Sequence, residues 1–396
     1  MPKHFAGMLA IAVGLTLWQI GYAMLLSGQP TADSAWRSLY QSDGGWFSNI
    51  MDEGYYFPQN PTYEFPGNVA FYPAYPLVSK AVGVVFRLDN VAAMLATSQF
   101  FCAVFWYYFQ FVLRQLGVTG KMAAGSLLLF AAHPTNVFLV ATYSESLFLA
   151  AMLGFVAWCS RETKFGFATA CFHGTILTST RLVGLPLAIL PLLLLAFAGR
   201  KSPGAWLRAG ANTLFASTRA LAYFAFLQWK FGQWNAFTVT QRVGWGVVPD
   251  YFVFFRWNTY DMKYGEILQM HRDVGALNRM TLPLSLLHFA AVAALEAIAI
   301  RSGSKRWKVR VPLWLLAVGL FAVPAMSHAG REWFSLARFA LTWHCLLVAV
   351  AASQLTDGPR WLRTRPVLLL IAAGIAWAAF VQHGTLQYFA IGGFVG

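Results

Sequence analysis

Long apolar runs with almost no charge recur along this chain, and few features restrict a fold more. Segments near residues 7–27, 91–113, 122–140, 144–160, 166–180, 182–199, 211–229, 281–300, 311–326, 337–355 and 367–387 are each dominated by apolar side chains. Their usual length approaches the ~20 residues a helix needs to cross a hydrocarbon core about 30 Å thick. Inside lipid every backbone N–H and C=O must be bonded within the protein, which leaves helices and closed barrels. A barrel would read as short alternating strands. The chain is therefore expected to be an all-α, polytopic transmembrane bundle of about 11 spans. Only 11% of its residues are charged, against about a quarter in soluble domains.

The formal net charge of +14 invites a nucleic-acid partner, but its distribution excludes one. Arg114 and Lys121, Arg161 and Lys164, Arg200 to Arg208, Arg301 to Arg310, and Arg360 to Arg365 fill alternate short connections. With Lys3 they mark one side, the cytoplasmic one by the positive-inside rule. The opposite side holds nearly all the carboxylates, among them Asp33, Asp43, Asp52, Glu53, Glu145, Asp250, Glu266, Asp273 and Glu332. Glu162 and Asp357 are the exceptions on the basic side, and Glu296 lies within a span. The N-terminus is thus expected inside, with the first span an uncleaved anchor. The chemistry is expected to face away from the cytoplasm, across a bacterial inner membrane.

One integral membrane domain is expected over 1–396, with a first outer loop at 28–88 and a second at 230–280. Residues 72–88 carry Pro73, Pro76, Lys80 and Arg87, which suits a helix lying along the interface. There is no internal repeat and no low-complexity tract. Cys102, Cys159, Cys171 and Cys345 lie in apolar runs without CxxC spacing and read as small buried hydrophobes. His133, His173, His271, His288, His344 and His383 are scattered, with no metal-ligand spacing.

The first outer loop contains Gln41-Ser42-Asp43-Gly44-Gly45-Trp46-Phe47, then Asp52-Glu53-Gly54-Tyr55. Glycine permits close backbone approach, so Asp43 is expected to be accessible, as a general base accepting a proton from an attacking hydroxyl. The plainer reading is a helix N-cap. Asp52 and Glu53 suit a sugar or cation, or a solvated helix face. Glu145, in Thr142-Tyr143-Ser144-Glu145, borders the membrane, where a carboxylate is costly and often functional. It suits sugar hydroxyls or an arginine partner, or simply the positive end of a helix dipole. Arg181 and Arg338, with Arg331 and His328 nearby, lie at outer helix ends. Guanidinium is suited to a semi-buried phosphate, while snorkelling to headgroups is the alternative. The 230–246 stretch, with Gln241 among Trp234, Phe237 and Trp245, suits sugar or lipid contact, and equally an interfacial aromatic belt. Asp-x-Asp, Walker A, GxGxxG, HExxH and GxSxG motifs are all missing from the sequence, which argues against a metal-held nucleotide-sugar.

Four patches in order, Asp43 to Tyr55, Phe71 to Leu77, Tyr143 to Phe148 and Arg181 to Leu185, with a weaker one at Ser335 to Phe339, resemble the GT-C membrane glycosyltransferases. The resemblance is strongest to PIG-V-like (GPI mannosyltransferase II-type) mannosyltransferases and their bacterial relatives. It implies a GT-C-type bundle with the catalytic acid in the first outer loop, which maps onto Asp43. It also implies a polyprenyl-phosphate sugar donor, commonly mannose, inverting transfer and no obligatory cofactor, with a divalent metal left open. Tyr143, Tyr55 and Asp52 fall inside the matched patches. Gln41-Ser42 stands where relatives often carry Arg-Trp, which leaves donor and acceptor open. The expected partners are the lipid-linked sugar, a glycolipid, protein or polymer acceptor, and the bilayer. The rival readings are a lipid or glycolipid transporter or flippase, for which midplane charges and inverted repeats are expected, and a non-catalytic membrane subunit.

Overall fold

The computed structural model describes residues 2–200, 202–260, 264–329, 335–390 and 392–393. It begins with α1 (Pro2–Leu26), followed in the first polar loop by α2 (Ala32–Arg37), α3 (Asp43–Glu53) and α4 (Ala74–Phe86). Next come α5 (Asn90–Gln115), α6 (Gly120–Ala131), α7 (Glu145–Trp158), α8 (Lys164–Thr180), α9 (Leu190–Ala198) and α10 (Pro203–Phe231). The second polar loop carries α11 (Ala236–Trp245), β1 (Val247–Pro249) and α12 (Tyr264–Gln269). The chain continues through α13 (Val274–Arg301), α14 (Trp307–Ala325), β2 (Ser327–Ala329), α15 (Leu336–Asp357) and α16 (Arg365–Ala390). β1 pairs antiparallel with β2, Val248 opposite His328, and so ties the second loop to the segment that precedes α15.

Among the described residues six helices, α1, α5, α13, α14, α15 and α16, are long and apolar enough to cross a membrane, and α4, α6, α7 and the stretch Leu182–Ala198 are apolar but shorter. The protein is an all-α, polytopic membrane bundle. α7 and α15 lie at its centre. Every residue from Glu145 to Ala157 is buried, as expected of a helix that is apolar all round. α7 packs on α5 and α8, and α15 packs on α13, α14 and α6. Leu9, Leu17 and Leu25 on α1 and Leu368 to Leu370 on α16 are exposed, the apolar surface a lipid-facing helix presents.

Proline accounts for two departures from the expected segments. The segment 122–140 is not one helix: α6 stops at Ala131, and a short 3-10 turn covers Asn136–Leu139. Pro134 disfavours helical backbone at the residue before it and removes an N–H donor. The segment 182–199 divides into a 3-10 stretch, Leu182–Ile189, which contains Pro186, and α9, which has Pro191 in its first turn. The expected interfacial helix is α4, whose buried Tyr75 hydroxyl donates to the Met94 carbonyl at 3.0 Å and pins it against α5. Leu77, Val84, Val85 and Phe86 stay exposed.

The break before α7 places the site. At 1.5 Å per residue a helix of 14 residues is ~21 Å long, short of the ~30 Å apolar slab. α7 therefore does not span such a slab alone, and the irregular stretch before it continues its path. Irregular backbone is tolerated among membrane helices only where protein covers it, and residues 135–144 are buried throughout.

Candidate active site

Four charged side chains from four separate places meet at the acidic end. Asp43 is the first residue of α3, Glu145 the first of α7, Arg181 follows α8, and Arg338 lies in the first turn of α15. Arg338 Nη2 donates to Asp43 Oδ2 at 2.6 Å, and Arg338 Nε donates to Glu145 Oε1. Arg181 Nη1 donates to the same Glu145 oxygen at 2.6 Å. Two arginines thus share one carboxylate oxygen while Glu145 Oε2, fully buried, has no hydrogen-bond partner among the described residues. Burial is graded: the Glu145 side chain is 0% exposed, Arg338 6%, Arg181 13% and Asp43 17%. Asp43 is the carboxylate a ligand can reach, and Glu145 holds the arginines from behind.

Aromatic rings position the cations. The Arg338 guanidinium lies 4.7 Å from the Tyr143 ring centroid and 5.3 Å from that of Phe138. Arg181 lies 4.8 Å from the Phe339 ring. Such contacts strengthen where water is excluded. The Ala337 N–H donates to Asn278 Oδ1 at 2.9 Å, and its C=O accepts from Thr135 Oγ1 at 3.0 Å, so the turn that presents Arg338 is clamped from two sides.

The backbone is strained at the same place. Three non-glycine residues have positive φ among the described residues, and two of them, Ser42 (φ 44) and Ser335 (φ 62), precede the helices that deliver Asp43 and Arg338. A residue held in such a region costs on the order of 1–3 kcal/mol and marks functional sites. Gly44 explains one of the two glycines: a Cβ there would lie 2.4 Å from Thr142 Oγ1 and 2.9 Å from Tyr40 Cδ2. It lets α3 approach the segment leading to Glu145, while Gly45 is exposed.

No protein-family model matches the chain, and no curated protein sequence matches it. Solved structures do. ArnT from Cupriavidus metallidurans, solved bound to undecaprenyl phosphate, aligns over 98% of this chain and 76% of its own, with a TM-score of 0.53 at 12% identity. The Archaeoglobus fulgidus oligosaccharyltransferase AglB, solved with an inhibitory peptide and a dolichol-phosphate, aligns over 97% of this chain and 56% of its own, with a TM-score of 0.53 at 14% identity.

The fold is the one seen in ArnT and in the oligosaccharyltransferase AglB.

Within this fold, Asp43, Tyr143, Glu145, Arg181 and Arg338 come together. Asp52 does not join them. Nine residues on along α3, it is ~14 Å away by helix rise, and both its carboxylate oxygens accept from Asn90 Nδ2. Tyr55 donates to the Phe71 carbonyl at 2.7 Å and packs on Tyr223; burial pushes its phenol well up, so it stays neutral. Gln241 lies half-buried on α11 and has no side-chain hydrogen bond to the cluster among the described residues. Trp245 of the same helix touches Trp46 and Phe71, one turn from Asp43. Arg331 lies outside the described residues, and His328 is described only as the backbone of β2.

Sequence reasoning missed the supporting residues Phe138, Asn278 and Thr135, and named Phe339 only as the end of the Ser335 patch. It also read the histidines as scattered, whereas three of them form a string. His133 Nε2 lies 2.9 Å from His344 Nδ1, and His344 Nε2 lies 3.3 Å from His288 Nδ1. His344 uses a different nitrogen toward each neighbour, so the three do not converge on a point. No spacing could reveal this, because three separate elements contribute.

Proposed function

We propose that the protein is a glycosyltransferase that moves a sugar, mannose first among the candidates, from a polyprenyl-phosphate donor to an acceptor hydroxyl on the non-cytoplasmic side. The observation that carries this reading is the reachable Asp43 joined through Arg338 to a buried Glu145 that also holds Arg181. The undecaprenyl phosphate of ArnT and the dolichol-phosphate of AglB, in structures of the same fold, support a lipid-phosphate donor. The patches at Asp43, Tyr143 and Arg181 support mannose. A glycolipid, a protein or a polymer can serve as acceptor, and the setting is a bacterial inner membrane.

Asp43 takes the acceptor proton as the acceptor oxygen bonds to the anomeric carbon. The bond from that carbon to the phosphate oxygen breaks, and the lipid phosphate leaves with its electron pair. Direct displacement inverts the centre. A retaining route needs a second, nucleophilic carboxylate close by, and Glu145 has no exposed surface for that role. Arg181 is the better phosphate ligand of the two arginines, because Arg338 already bridges two carboxylates. Arg338 orients Asp43, and Arg331 and His328 are further ligands in this reading.

The test is transfer of label from polyprenyl-phosphate-mannose in vesicles by wild type and Asp43→Asn. A positioned base contributes about 10²–10⁴-fold, so the variant should lose that much while inserting normally. Full transfer by Asp43→Asn would move the base elsewhere. Lack of transfer by the wild type across a panel of lipid-phosphate sugars would overturn the activity.

A further inference from the structure

A cavity of about 310 Å³ opens at the basic end between α5, α7, α9 and α14. It is far larger than the ~10–15 Å³ that one water requires. Leu116, Val156, Leu194 and Leu313 form its walls, and Gln115, Ser160 and Arg161 lie at its polar edge. Gln115 is committed, since its Nε2 donates to the Ala157 carbonyl at 3.0 Å. Arg161 is not. Its Nε is buried with no hydrogen-bond partner, and its guanidinium is held 5.1 Å from the Trp158 ring and 5.4 Å from the Phe111 ring.

The carboxylates of this end are engaged elsewhere. Glu162 pairs with Arg200, Asp357 with Arg306 and Arg310, and Glu296 with Arg310. Arg161 is therefore a fixed cation without an anion among the described residues, at the mouth of an apolar slot. A free phosphate would find one cation and no use for the walls. A neutral acyl chain would leave the guanidinium unanswered. A molecule with both an acidic headgroup and a hydrocarbon chain answers both.

We propose that this cavity binds one anionic phospholipid from the leaflet at the basic end, with an acyl chain against Val156, Leu194 and Leu313 and the headgroup phosphate at Arg161. Basic pockets between transmembrane helices recognise acidic headgroups in this way. The site lies at the opposite end of α7 from Glu145 and does not depend on the proposed transfer reaction.

Native mass spectrometry of the full chain, purified from detergent containing equal phosphatidylglycerol and phosphatidylethanolamine, tests this. Wild type should retain one phosphatidylglycerol in preference to phosphatidylethanolamine. Arg161→Gln should weaken retention roughly fivefold, the contribution of one basic side chain near an acidic headgroup. Val156→Phe, which keeps the charge but fills the slot, should weaken it as well, and it decides the matter should Arg161→Gln fail to fold. Excess inorganic phosphate should not displace the lipid. Equal retention by all three proteins, equal retention of the two lipids, or displacement by inorganic phosphate would each overturn the proposal.

Discussion

At each end of α15 an arginine meets carboxylates, and the two meetings are built differently. Arg338 and Asp357 are 19 residues apart on α15, ~29 Å by helix rise, close to the thickness of a hydrocarbon core. At the basic end Arg310 has every guanidinium nitrogen engaged. Nε and Nη2 hold Glu296, Nη1 holds Asp357 at 2.6 Å, and Ser304 and Ser353 complete the set. Glu296 Oε2 also accepts from Gln354 at 2.6 Å. Within this Arg310 network the buried atom without a partner among the described residues is Gln354 Oε1, a neutral amide oxygen. In the cluster of Asp43, Glu145, Arg181 and Arg338 the unpartnered atom among the described residues is an oxygen of the Glu145 carboxylate, Arg181 has one hydrogen-bond partner, and Asp43 is partly open. A satisfied polar network rigidifies, whereas a buried charged group left short of partners is costly and calls for an explanation. The first arrangement clamps α13, α14 and α15 together. The second keeps valence for a ligand.

The largest expected effects separate the two ends. Arg310→Met leaves the buried Glu296 without its ion pair, while Asp357 keeps Arg306, and breaking such a pair costs about 3–5 kcal/mol. Folded yield in detergent should collapse, while Asp43→Asn should lose transfer and keep its melting temperature. Normal yield from Arg310→Met would remove the contrast. Replacing Glu296 by Gln in the same chain as Arg310→Met should recover part of the yield, because one orphaned charge is removed.

Arg181→Lys sharpens the reading of the acidic end. A point charge replaces a fork, and the KM for the lipid donor should rise roughly tenfold, or about 1.4 kcal/mol, with kcat less affected. An unchanged KM would pass the phosphate to Arg338. Gly44→Ala tests packing at the same end. Its new methyl meets Thr142 and Tyr40, and overpacking of this kind costs about 1–3 kcal/mol. Thermal unfolding should show that loss, and Thr142→Ala in the same chain should return part of it.

The smallest effect is expected at the Arg37–Asp89 pair, 2.9 Å apart and half exposed on both sides. Arg37 and the Ala92 N–H hold the Asp89 carboxyl below its ordinary value, so what the pair adds is present above the ordinary carboxylate range and fades as pH falls through the lowered one. Exposed pairs add little, and Arg37→Ala should leave melting temperature and transfer unchanged at neutral pH. A clear change would mean that charge pairing matters even where water screens it.

Much of the fold was legible because lipid imposes one rule on every span: apolar side chains outside and backbone bonds inside. Each expected segment falls on helical structure, and Pro134 and Pro186 mark where the pattern breaks. The site was legible in part. Asp43, Glu145, Arg181 and Arg338 stand out as charges at the ends of apolar runs, which is a local property. The sharing of one Glu145 oxygen by Arg181 and Arg338, the remoteness of Asp52 at the far end of α3, and the histidine string through His344 are not local. Arg310 reads in sequence as one more basic loop residue and Glu296 as a stray acid in a span; the structure makes them partners.

By itself the sequence determined the class of solvent, the helical architecture and the end of the molecule where the acids gather, because each follows from side-chain polarity summed over neighbours in the chain. Only the tertiary structure decided which charges are satisfied and which are left with spare valence. Pairing depends on residues brought together from positions 43, 145, 181 and 338, and on how completely the packed helices exclude water from each of them.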